Sequence, residues 1–337
     1  MSTVDLGTRQ SSGLDLALLV GREDVLREGE RLQRLAVDLG LDVTCRWPWV
    51  MASIAQGDRP WAVTVTDRTG LVAAAVLVDS VVDGEPVTCL AGTAQGHRGA
   101  LLARSVPAAR ALGAAVAHAL VSEPRHFSLG PIAASDTLSA LLQYLPTDVR
   151  IDPVAIPLLV PGGEPESELS SAMRRNLRKA RNRLATDGIT AATEVVKDPA
   201  QLATLMREVL EIARGRDLAV RGSSPLDDKD VVDLWRRRLF AVAGEGVLRL
   251  VVLRLDGKLA AYVLCLSDGP TVRVLDGRYV DAFARYAPGR LLEADLLERV
   301  RMSEGTERID WMTTLAPESL LATNAADELV IVSGRAG

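Results

Sequence analysis

Two short runs constrain this chain most. VLRLVVLRL (247–255) meets Asp256-Gly257 and continues as KLAAYVLCLS (258–267). Asp-Gly between two apolar runs predicts a tight β-hairpin, because such turns need positive φ and glycine adopts it without steric cost. Far upstream, WAVTVTD (61–67), a turn at Arg68-Thr69-Gly70 and LVAAAVLV (71–78) have the same form. TGLVAAAVLV also resembles DGKLAAYVLC position by position.

The segments after the hairpins are comparable too. In the first half a strand, EPVTCLA (85–91), leads to a long helix near Pro107, then FSLGPI (127–132), a helical LSALLQYL (138–145) and VRIDPVAIPLLV (149–160). In the second, TVRVLDGRYV (271–280) leads to a helix after Pro288, then RIDWM (308–312) and a strand ELVIVSG (328–334). An internal duplication with mixed α/β halves is the reading; a chance match of two Ala/Val-rich hairpins is the alternative. The 337 residues leave room for about two domains. The Pro/Gly/Glu-rich stretch PGGEPESE (161–168) marks a linker. The expected organisation is an N-terminal domain over 1–160, a linker over 161–169 and a C-terminal domain over 170–337.

A net charge of −5 argues against bulk capture of nucleic acid or anionic membrane, although a local patch can do either. Three cysteines, Cys45, Cys89 and Cys265, fit no disulfide framework or metal spacing and suit a reducing compartment. MSTVDLGTRQ lacks a signal-peptide layout, and runs such as LVAAAVLV are far shorter than a membrane span. The expectation is a soluble cytoplasmic protein.

Against that acidity, MRRNLRKARNRL (173–184) is strongly basic. Ser170 or Ser171 can cap a helix ending near Asp187-Gly188. Met173, Leu177, Ala180 and Leu184 form one apolar stripe, leaving the cations on the other faces. A solvated face, a wall for a phosphate-bearing ligand and a nucleic-acid contact all fit. No aromatic residue is interleaved to stack a single strand.

GRYVDAFARYAPGRLLEADLLERV (277–300) carries the most chemical information. Pro288-Gly289 opens an amphipathic helix whose first N–H groups point outward with partial positive charge, a ready anion site. A simple turn is the plain alternative. QGHRGALL (95–102) echoes it faintly, Gln95 and Gly99 matching the spacing of Arg285 and Gly289. Pro107 puts the first-half helix later, so GALL fits a strand and the first-half site is expected to be absent.

A three-strand meander, a tyrosine-rich turn ending in Pro-Gly-x-Leu-Leu and a strand ending in aspartate together resemble the GNAT acyltransferase superfamily. The closer likeness is to its FemAB-like and CelD-like branch of tandem-domain proteins, which the R-R-x-x-R-K-A-x-x-R segment also resembles. The resemblance covers residues 170–312 well and 45–160 diffusely. Ala287 stands where the branch has serine, and the Gly and Tyr-Lys that follow its aspartate are not evident in WMTTLAPESLLATNAADE.

The resemblance implies two tandem GNAT-like domains of α/β (α+β) class, each a mixed, mostly antiparallel sheet flanked by helices, the first degenerate. It implies transfer of an acyl group from acetyl-CoA or another acyl-CoA to a small or polymer-linked amine, without a metal. Gly289, Arg290, Leu291 and Leu292 would then cradle pyrophosphate, with charge from Arg285 and Arg290, and with Arg175 and Arg178 facing phosphate. Asp310 is the first candidate for base or amine anchor. Asp276, a carboxylate inside a strand, is a second, and Tyr286 and Tyr279 are candidate acids. His97, His118 and His126 form no ligand pattern. Two other readings stay open: FemAB-like aminoacyl transfer from charged tRNA to a cell-wall precursor, and a binding protein that has lost catalysis.

Overall fold

Both hairpins form as their turn residues dictate. Asp256 (φ 47°) and Gly257 (φ 76°) occupy the two positive-φ positions that match the twist of paired strands. In the first hairpin the Asp67 carboxylate accepts from the Thr69 amide at 2.7 Å and Gly70 takes φ 119°. The computed structural model describes residues 13–82, 84–93, 96–123, 125–146, 148–161, 169–303, 305–312 and 325–336. The predicted linker (all but Pro161 and Leu169), Gln95 and most of the segment after Asp310 lie outside them. The chain divides into two units, Met1–Ala155 with Glu328–Gly337, and Ile156–Asp327.

In chain order the first unit holds β1 (Asp15–Val20), α1 (Arg22–Arg27), α2 (Gly29–Asp38), α3 (Trp47–Ser53), β2 (Arg59–Asp67), β3 (Gly70–Val82) and β4 (Glu85–Leu90). There follow β5 (Leu102–Ala103), α4 (Val106–Val121), β6 (Arg125–Ala133), α5 (Asp136–Tyr144) and the start of β7 (Arg150–Leu159). Strands β1 to β4 pair antiparallel, and the α4 crossover makes β6 parallel to β4. Alternation along β2 and β3 sorts the core. Trp61, Val63, Val65, Ala73, Ala75 and Leu77 meet α4 and α5 on one face. Ala62, Ala74, Val76 and Val78 meet α1 to α3 on the other.

The second unit takes the end of β7, α6 (Ser171–Thr186), β8 (Ala191–Val196), α7 (Pro199–Arg221), α8 (Lys229–Gly244), β9 (Leu248–Leu255), β10 (Lys258–Asp268) and β11 (Thr271–Tyr279). A 3₁₀ turn at Asp281–Tyr286, α9 (Pro288–Met302) and β12 (Arg308–Asp310) complete it. Its strands lie in the order β7-β12-β11-β10-β9-β8. α9 packs Leu292, Leu296, Leu297 and Val300 onto Val251, Leu253, Val263 and Val274, while α7 and α8 lie against the other face. Each unit is thus a mixed, mostly antiparallel sheet flanked by helices, as the sequence predicts. β8, α7 and α8 were left unassigned by that reading.

The last strand, β13 (Ala325–Ala336), departs from the expectation. Sequence order places 328–334 in the C-terminal domain, but β13 pairs antiparallel with β6, Leu329 opposite Ala133 and Arg335 opposite His126. Gly334, within 3.1 Å of the Phe127 ring at its Cβ position, shows how tightly that strand is fitted there.

Candidate active site

β11 is where the second unit opens. It pairs with β12 in parallel over Thr271–Arg273 only, opposite Arg308–Asp310. From Val274 to Tyr279 that edge of β11 has no strand partner among the described residues, while the other edge stays paired to β10. The two parallel strands therefore join at one end and part beyond it.

Midway along the free stretch the register with β10 slips: Cys265 faces Val274 but Leu264 faces Asp276, so Leu275 is an extra residue. Such a bulge re-aims the side chains after it. Val274 faces the apolar core under α9, whereas Asp276 and Arg278 turn to the α7 face beside Leu264 and Tyr262. There the Tyr262 hydroxyl donates to Asp276 Oδ2, and Arg278 Nη1 lies 2.6 Å from Oδ1. Burial lifts the Asp276 carboxyl above its ordinary value, against the opposing pull of Arg278 and Tyr262. Burial and the adjacent carboxylate push the Tyr262 phenol well up.

β11 ends against the start of α9. Ala287 sits in the left-handed region (φ 48°, ψ 51°) and has no side chain to cap the helix. Its own amide donates to Ala284 O at 2.9 Å, and Leu291 N donates to Ala287 O at 3.1 Å. The amides of Gly289 and Arg290 form no hydrogen bond among the described residues. At the Gly289 Cβ position the only neighbour within 4 Å among the described residues is the Tyr279 ring, 3.4 Å away. Arg216 covers that ring, its guanidinium carbon 4.5 Å from the centroid, and pairs with Asp281 at 2.6 Å. This corner borders a cleft of about 570 Å³ lined in part by Glu208, Arg216, Lys258 and Tyr279.

The expected residues separate into groups. Gly289, Arg290 and Tyr279 come together; Leu291 spends its amide on Ala287 and Leu292 is fully buried in the core, so the free donors narrow to two. Arg290 pairs with Glu293 at 2.8 Å. Arg285 pairs with Asp187 at 2.5 Å, and the Tyr286 hydroxyl donates to the same carboxylate at 2.7 Å. Tyr286 is thereby tied to the end of α6 rather than to Asp276. Asp310 is 1% exposed, 3.7 Å from Arg273 Nε, and accepts from the Met312 amide at 2.9 Å. It closes its own turn at the strand junction by accepting from the Met312 amide.

On α6, capped by Ser170, the apolar stripe docks as predicted through Leu177, Ala180 and Leu184. Arg175 and Arg178 point to solvent. The cation that touches the loop before α9 is Arg183, whose Nη1 donates to the Arg285 carbonyl at 2.7 Å. Arg183, Tyr262 and Arg278 were all missed from sequence. Tyr262 and Arg278 face each other across β10 and β11, but the bulge between them hides the pairing from any count of residues. No cluster of metal-ligating side chains occurs among the described residues.

A family model described as an acetyltransferase (GNAT) domain matches residues 171–318. No curated protein matches the sequence. Among solved structures, FemX is 10% identical, with 90% of this chain and 95% of that chain covered and a TM-score of 0.62. L-PGS from Bacillus licheniformis is 12% identical over 90% of each chain, with a TM-score of 0.53. A tandem GNAT protein from the clavulanic acid biosynthesis pathway is 16% identical over 96% of this chain and 99% of that one, with a TM-score of 0.50. At these identities the likeness is one of fold, and it runs through both units. The parted strands, the bulge and the uncapped helix start thus lie inside the stretch that matches an acetyltransferase (GNAT) domain, and the chain as a whole shares the two-unit fold of FemX and of a tandem GNAT protein.

Proposed function

We propose that the second unit transfers an acyl group, acetyl in the simplest case, from acyl-CoA to an amine acceptor that is a small molecule or is attached to a polymer. The observation that supports this is the edge of β11 from Val274 to Tyr279, which has no strand partner among the described residues, leading to the amides of Gly289 and Arg290, which have no hydrogen-bond partner among them. An extended thioester arm can pair with a free strand edge, while its diphosphate takes backbone donors at the positive end of α9. Arg285 and Arg290 add charge there, and Tyr279 beside Gly289 belongs to this phosphate end.

Three residues of strand, about 10 Å, separate Tyr279 from Asp276, which puts Asp276 at the reacting end. The acceptor nitrogen attacks the thioester carbonyl, the C–N bond forms, and Asp276 takes the proton that the nitrogen sheds. The C–S bond then breaks and the thiolate leaves to be protonated by solvent. Tyr279 and Tyr286 are placed for binding and packing rather than for this proton. In the binding test, acetyl-CoA raises the melting temperature of the wild type by mass action on the native state. Gly289→Val, which fills the space before the amides, abolishes the rise. Equal stabilisation of both proteins would sink the assignment.

A second reading, aminoacyl transfer from charged tRNA, draws on α6: Arg175, Arg178, Lys179 and Arg181 have no ion pair among the described residues. RNA binding that weakens steeply with salt would favour it. A protein that binds acetyl-CoA but turns over no amine would be a binding protein that has lost catalysis. We place the chain in the cytoplasm, where its free cysteines stay reduced; no helix among the described residues is long and apolar enough to cross a membrane.

A further inference from the structure

Asp276 is one member of a longer line of buried and half-buried polar groups. Tyr262 on β10 is 1% exposed and donates to Oδ2. Arg278 on β11 holds Oδ1 at 2.6 Å and anchors itself on the Gly277 carbonyl at 2.9 Å. From α7, Asp217 lies 3.9 Å from Arg278 Nε. The hydroxyl of buried Ser224, in the connection between α7 and α8, donates to Asp217 at 3.2 Å. The line therefore joins two strands, a helix and a loop through one arginine placed between two carboxylates.

A purely structural pair of this depth gains little over apolar packing, because desolvation offsets the Coulomb attraction. Here the bulge at Leu275 turns a carboxylate out of the apolar core under α9 and into this polar line, at the free stretch of β11. Tyr262 is too deep to touch a substrate, whereas Asp276 keeps 11% of its side-chain surface.

We infer that Arg278, braced by Asp217 and Ser224, and Tyr262 are positioning residues that hold Asp276 ionised and fixed in orientation for the acceptor amine. This rests on the acyl-transfer reading above for its chemistry, though not for its test. The groups facing Asp276 are Tyr262 from β10, Arg278 from β11 itself and Asp217 from α7. Arg278 and Tyr262 favour the carboxylate, and Asp217 opposes it. Removing either of the first two leaves burial less opposed, so Asp276 takes up its proton at higher pH.

The experiment has two arms. Carboxyl ¹³C titration of Asp276 by NMR, without substrate, should shift upward by about one pH unit in Arg278→Gln and by less in Tyr262→Phe. Arg278→Lys, which keeps a cation, should restore most of it. In the second arm, the acidic limb of kcat/KM for acetyl transfer should move with the same ordering. A structural role alone would lower kcat/KM equally at every pH. If Arg278→Gln does not fold, Arg278→Lys and Tyr262→Phe carry the test. An unmoved Asp276 titration in folded variants overturns the inference. Absence of acetyl-CoA binding overturns the acyl-transfer reading while leaving the NMR arm decisive.

Discussion

The two units write the same grammar and finish it differently. In the first, β4 and β6 pair in parallel over Val87–Cys89 and His126–Ser128, the counterpart of β11 with β12. Where the second unit leaves the edge of β11 unpaired among the described residues, the first brings further backbone to β3 and to the end of β6. Gly99 bridges Ile132, with its amide on the Pro131 carbonyl at 2.9 Å. Leu102 and Ala103 then take the edge of β3 opposite Ala74 and Ala73. The helix starts differ in the same sense. The Ser105 hydroxyl accepts from Ala108 N at 3.4 Å and caps α4, whereas Ala287 has no side chain to cap α9.

A duplicated fold can therefore keep its core and lose its slot. Strand order and face alternation are set by dozens of apolar residues, but the opening depends on a few backbone donors being left free. In the first unit the Gly99 amide donates to the Pro131 carbonyl and the Ala108 amide to the Ser105 hydroxyl. On the proposed reading the acyl-CoA site belongs to the second unit alone and the first unit is degenerate.

The largest expected effect tests that contrast at the open end. Gly289→Val should weaken acetyl-CoA binding about a hundredfold, or ~2.7 kcal/mol, with little loss of stability, since only the Tyr279 ring lies near. Calorimetric titration beside a melting curve separates the two. At the closed end, a Cβ on Gly99 would stand 2.5 Å from side-chain carbons of Leu90 and Thr93. Gly99→Val should destabilise the protein by about 2 kcal/mol through overpacking and leave acetyl-CoA affinity unchanged. A loss of affinity there would mean that the first unit also takes part in binding.

The contrast also explains what the sequence could convey. Asp256-Gly257 specifies a hairpin locally, and the stripe of Leu177, Ala180 and Leu184 specifies how α6 docks, so both were legible. Gly289 was legible for the same reason, since Pro-Gly before an amphipathic helix exposes amides whatever the tertiary context. The role of Asp310 was less legible, because a strand-end aspartate has the same local pattern whether it faces a cleft or closes its own turn beside Arg273. Tyr262 and Arg278 escaped because their meeting depends on a one-residue bulge between distant strands. β13 escaped because nothing in ELVIVSG says which unit's edge it will pair with.

Asp276 gives a smaller effect that the first unit cannot imitate. Its folded pKa is raised, so the stability it contributes is fully present below its ordinary value of 3.8 and is lost as pH rises through the folded value. Relative to Asp276→Asn, the wild type should therefore lose stability between pH 3.5 and neutrality, measured by urea unfolding at each pH. A difference independent of pH would mean that Asp276 keeps its ordinary acidity, and the bulge would lose its chemical meaning.

The smallest effect separates the donors. Arg175 and Arg178 are exposed, and isolated surface charges contribute about 0–1 kcal/mol and are screened beyond a Debye length of about 8 Å at physiological salt. If the donor is acyl-CoA, Arg175→Ala with Arg178→Ala should change its affinity less than about twofold, whereas Arg183→Ala, which frees the Arg285 carbonyl, should change it more. If the donor is a charged RNA, the double variant should instead flatten the plot of log affinity against log salt by about one unit per arginine that contacts phosphate. The acyl-CoA reading thus expects the basic face of α6 to matter least at its most exposed residues, and a flattened RNA slope would transfer the donor role to nucleic acid.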